Sequence, residues 1–160
     1  MRYIRKISGQ NGQALVEMAI VVPVLLLIVF GIVEFGRGFN EKLLITNAAR
    51  QGVRTAAVDS AVHDPIIADD ILSILGGTAN RVVSYPTLIG TETAKIEWTQ
   101  TWGSTTGYGS ITFERFPVDL PTKVSITIDY PFYVYMPFVS LATGNPIDLQ
   151  SSATMRIETD

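Results

Sequence analysis

The chain has 160 residues, a formal net charge of −3, one histidine and no cysteine. That length holds one modest domain plus a membrane segment. The weakly negative charge argues against a nucleic-acid partner, and the missing cysteines exclude disulfides, thiolate metal sites and a cysteine nucleophile.

Residues 1–12 form a short leader with Arg2, Arg5 and Lys6 and no acid. Without those three cations the remainder stands at about −6, so a basic leader precedes an acidic body. Residues 14–33 follow as an apolar run of Val, Leu, Ile, Ala and Phe in which Glu17 is the only charge. As a helix this run reaches roughly 30 Å, the thickness of a bilayer core. The cations before it favour a cytoplasmic N-terminus and a translocated body. Arg37, Lys42, Arg50 and Arg54 oppose this, but they are dispersed among Glu34 and Glu41.

Other readings of the run fit less well. A secretory signal has an apolar region of about 7–15 residues and a small-x-small cleavage site. The end of this run, Phe30-Gly-Ile-Val-Glu-Phe35, offers no such site. Against a soluble core helix, apolar residues on every face from Met18 to Val33 suit lipid or a filament core better than a small soluble domain. A simple anchor leaves Glu17 without a purpose. A carboxylate costs about 2.5–3.5 kcal/mol at a bilayer centre and less near an edge. Pro23 removes one backbone bond inside the run, which membrane helices tolerate.

The helix is expected to continue from Gln13 to about Val58. Phe35, Phe39, Leu43, Ala48 and Ala56 fall near helical spacing, and Leu44, Ile45, Ala49, Val53 and Ala57 widen the stripe. Gly52 reads as a weak point, about 1 kcal/mol poorer than alanine. Asp59, Ser60, His63 and Asp64 mark the exit, and His63 reads as a solvated loop residue.

Residues 59–160 form the expected head. Asp64-Pro65 starts a helix of roughly eleven residues with Ile66, Ile67, Ile71, Ile74 and Leu75 on its apolar face. Gly76-Gly77 ends it. The adjacent Asp69 and Asp70 point in different directions and make a poor metal site. Strands are predicted at 81–85, 94–102, 108–116, 123–130 and 148–159, with 103–107 as a turn. Val124, Ile126, Ile128 and Tyr130 show the clearest alternation. The segment from Thr99 to Gly109 reads as a flexible hairpin loop rather than a sugar-binding tip. The aromatic run Pro131–Phe138 reads as core filling beneath a loop, ahead of a membrane-skimming or partner-contact segment. The expected class is α+β: a long helix, transmembrane in its first half, with a small antiparallel-sheet head.

Gly12 followed by Gln-Ala-Leu-Val-Glu-Met-Ala-Ile-Val-Val-Pro, then Gly31-Ile-Val-Glu-Phe-Gly-Arg37, then Asn47-Ala-Ala-Arg-Gln-Gly-Val-Arg-Thr-Ala-Ala57, resembles the TadE-like family. Those are minor pilins or pseudopilins of the tight-adherence (Flp, type IVb) pilus system. The resemblance is specific over about residues 12–58. It is weak at Ser151–Glu158 and gives no specific match between them. It implies cleavage after Gly12 by a prepilin peptidase, so that Gln13 becomes the first residue and Glu17 the fifth. A cut after Gly9 would put Ala14 in that place. In pilin-like filaments the fifth-place glutamate is thought to pair with a neighbour's N-terminal amine. An ammonium and a carboxylate tolerate an apolar bundle as a pair better than either does alone.

The implied protein is a structural subunit that primes, caps or stabilises the pilus. It would sit in the bacterial inner membrane with an extracytoplasmic head. Its expected partners are the peptidase, other pilin subunits and the tight-adherence machinery, with no cofactor and no enzymatic activity. The competing reading is a membrane-anchored binding protein or adhesin that does not polymerise.

Overall fold

The computed structural model describes residues 10–58, 64–76, 81–84, 93–116 and 123–157. His63, Gly77 and the closing residues 158–160 lie outside them. The elements in chain order are α1 (Gln10–Val58), α2 (Asp64–Ile74), β1 (Arg81–Ser84), β2 (Thr93–Trp102), β3 (Thr105–Phe116), β4 (Lys123–Phe132), α3 (Pro137–Thr143) and β5 (Ile147–Arg156). The class is α+β, as expected. The five strands pair as an antiparallel meander in the order β1-β2-β3-β4-β5.

Helix α1 is one uninterrupted rod that starts at Gln10, three residues earlier than expected, and keeps Pro23 inside it. Its two halves meet different surroundings. Residues 14–30 are exposed throughout. From Ile45 onward one face is buried, through Ile45, Ala48, Ala49, Val53, Ala56 and Ala57. The three- and four-residue steps keep these on one stripe. That stripe lies on β4 and β5, and α2 packs beside it.

The core is built where sheet alternation meets the helical stripes. Ile96, Trp98, Ile111, Phe113, Val124, Ile126 and Ile128 are buried, while Lys95, Glu97 and Thr112 between them are not. Register aligns Ala94, Phe113, Ile126 and Ala153 in one row across four strands. On the sheet's other face Ser110 Oγ donates to Asp129 Oδ2 at 2.9 Å, and Gln150 Nε2 donates to Asp129 Oδ1 at 2.8 Å.

Several expectations need correction. Phe35, Phe39 and Leu43 do not face the core: Phe35 is 76% exposed, and it stacks on Phe39 at 6.3 Å. Their part of α1 meets the head through other residues: Glu34 is buried, and a Cβ at Gly38 would lie 3.6 Å from the Phe132 ring of β4, while Phe35, Phe39 and Leu43 lie off that face. On α2 the buried face is Ile67, Ala68, Ile71 and Leu72, and Ile66 is exposed. Gly52 is a site of close packing rather than a weak point. A Cβ there would lie 2.5 Å from Ile71 Cδ1 and 3.2 Å from Ile126 Cδ1.

The expected loop at Thr99–Gly109 is mostly strand. Trp102 pairs with Thr105, leaving only Gly103 and Ser104 in the turn. Gly103 has φ 61° and Ser104 has no positive φ, the pattern of a type II′ hairpin with glycine first. The aromatic run divides. Phe132 and Val134 are buried, Tyr133 is half-buried and Tyr135 is exposed. Phe138 belongs to α3, which the sequence reading did not foresee and which contains no buried residue.

Candidate functional site

Gly12, Gln13 and Glu17 all lie on the exposed first part of α1. Gln13 and Glu17 are four residues apart, so they sit one turn apart on the same face. A Cβ at Gly12 would meet nothing within 4 Å. The fold therefore has no steric need for glycine there. Glu17 is exposed among Leu15, Val16, Met18 and Ile20, which are exposed too. The structure thus puts the three residues on one bare apolar surface, at the end of the rod away from the head.

A second constellation, missed in the sequence, stands where the apolar run ends. Glu34 is only 6% exposed. Its Oε1 accepts from Arg37 Nη1 at 2.8 Å and from the Tyr135 backbone N–H at 3.2 Å. The Arg37 guanidinium lies over the Tyr135 ring at 4.4 Å from its centroid and over Phe132 at 5.3 Å. Cation–π contact and the ion pair together fix the arginine between helix and head. Tyr133 stacks on Trp102 at 5.3 Å and meets Tyr135 edge-on at 5.0 Å. The only local sign of this site is the i,i+3 spacing of Glu34 and Arg37, because its other half is about a hundred residues later in the chain.

Lower on α1, an apolar groove of about 810 Å³ separates Pro23, Leu27 and Gly31 from Met136, Phe138 and Val139. A smaller groove of about 410 Å³ opens beside Phe35, Phe39 and Leu149. Among the described residues no group of three or more His, Asp or Glu side chains comes together as a metal site.

The arrangement defines a class: a membrane-length apolar helix whose continuation forms one layer of a small antiparallel-sheet head. Residues 12–54, the greater part of this helix, match the family model described as TadE-like protein. No match was found among curated proteins or among solved structures.

Proposed function

We propose that this chain is a minor pilin or pseudopilin of a tight-adherence pilus. In this reading a prepilin peptidase cuts it after Gly12, residues 14–33 hold it in the inner membrane, and it then packs into the filament or its base. The N-terminus is cytoplasmic and the head extracytoplasmic. The observation that carries the reading is the placement of Glu17: a lone carboxylate on a bare apolar helix, five residues past a glycine, inside the TadE-like match. An apolar helix exposed on all sides calls for lipid or neighbouring helices, and the carboxylate calls for a cation among them. The new amine of Gln13 on another subunit supplies that cation.

Mass spectrometry of the protein purified from its native host tests the cleavage. The expected N-terminus is Gln13. A chain that still begins at Met1 while the peptidase is present would defeat the reading, and would leave a membrane-anchored binding protein in its place. Glu17→Ala is expected to mature normally and to be depleted from sheared pili. Wild-type incorporation of that variant would remove the role assigned to Glu17.

A further inference from the structure

We propose that α3 and the turn around it are embedded in the bilayer, in the leaflet on the head's side, so that the head is seated in lipid rather than held above it. This rests on residues 14–33 spanning the membrane, as proposed above. The groove between α1 and α3 is lined on the α1 side by residues from Pro23 to Gly31. At 1.5 Å per residue these lie roughly 3–15 Å inside the end of the apolar run at Val33. That interval is the near half of a bilayer core about 30 Å thick. A helix beside it is at lipid depth.

The composition of α3 suits that depth. No charged side chain occurs between Asp129 and Asp148. Phe138 is 75% exposed and Leu141 is 88% exposed, and Ala142 is exposed beside them. Lipid also demands that polar groups be satisfied within the protein. Ser140 Oγ donates to Pro137 O at 3.0 Å, and Thr143 Oγ1 donates to Val139 O at 2.9 Å. Asn145 closes a reciprocal pair with Val134: the Val134 N–H donates to Asn145 Oδ1 and Asn145 Nδ2 donates to Val134 O, both at 3.0 Å.

Just above this level stand Trp102, Tyr133 and Tyr135, with Arg37 against Tyr135. Trp and Tyr with a cation mark the boundary between lipid and water. The collar therefore sets the membrane surface at Glu34–Arg37, the point at which charge returns to α1.

The absence of native cysteine allows single labelling sites. The full chain carrying Ile20→Cys, Leu141→Cys, Phe138→Cys or Lys123→Cys is labelled with an environment-sensitive fluorophore. Each is reconstituted into phosphatidylcholine–phosphatidylglycerol vesicles with and without brominated acyl chains. Ile20 reports the span, and Lys123 is exposed at the end of β4 far from Phe132. The expected result is blue-shifted emission and strong quenching by brominated lipid at 20, 141 and 138, and neither at 123. Quenching at 20 without quenching at 141 and 138 overturns the proposal while the span stands. No quenching at 20 shows that the span itself has failed. Blue-shifted but unquenched emission at 141 places a second protein surface there and also overturns the proposal.

Discussion

Glu34 is the residue that ties the rod to the head. One oxygen accepts both the Arg37 guanidinium and a backbone N–H from the segment after β4. Glu34→Ala leaves that N–H and the cation without their acceptor in a mostly dry place, a loss of about 1–3 kcal/mol. Denaturant unfolding of the detergent-solubilised protein should show the drop, and amide exchange at Tyr135 should speed up. Glu34→Gln keeps an acceptor oxygen and should lose less. Wild-type stability of the alanine variant would contradict the role. Sequence order lists Glu34 as one more charge among interleaved Lys and Arg. Its burial comes from Tyr135, which no local pattern connects to it. The proposed trio Gly12, Gln13 and Glu17 differs in kind: their relation is a matter of spacing along one helix, which sequence order alone displays.

At the scale of elements, the glycines of the core argue for close approach rather than softness. Alanine at Gly52 gains about 1 kcal/mol of helix propensity, but overpacking costs about 1–3 kcal/mol. Its Cβ would sit 2.9 Å from Ile71 Cγ1 and 2.5 Å from Cδ1. Gly52→Ala is therefore expected to lower the unfolding midpoint, and adding Ile71→Val, which removes Cδ1, should restore part of the loss. An additive double variant would show that the two sites do not touch. Gly109→Ala meets a stiffer neighbour, because its Cβ would lie 2.2 Å from the Trp98 indole.

The strands could be read from the sequence because one face of the meander is dry, which forces the alternation seen at Val124, Ile126 and Ile128. The extension of α1 could be read as helix, but not which of its apolar residues were covered. Phe35 and Ile45 both fit a broad apolar stripe, but ten residues turn them about 80° apart, and at the level of Phe35 it is Glu34 and Gly38 that meet the head. Helix α3 escaped notice although Pro137 opens it and Gly144 follows it, a standard pairing of signals. At seven residues it has no periodicity of its own to read.

For the whole molecule, the boundary of the folding unit falls inside α1 rather than after it. The buried face from Ile45 to Ala57 supplies one layer of the core. A fragment beginning at Glu34 is expected to give a cooperative thermal transition and dispersed amide resonances. A fragment beginning at Asp59 exposes the α1-facing side of β4 and β5 and should aggregate or remain unfolded. Folding of the shorter fragment would mean that the sheet and α2 hold together without the rod.

The continuity of α1 also gives the molecule a compass bearing. Span and head share one rod, with whatever bend Pro23 imposes, so neither can swivel independently of the other. At 3.6 residues per turn, Glu17 and Glu34 point about 100° apart around the axis. A neighbour that grips the carboxylate at one end thereby dictates which way the sheet faces at the other. The angular order of a stack of such subunits would be written in the helix itself, with no contact between heads needed to set it.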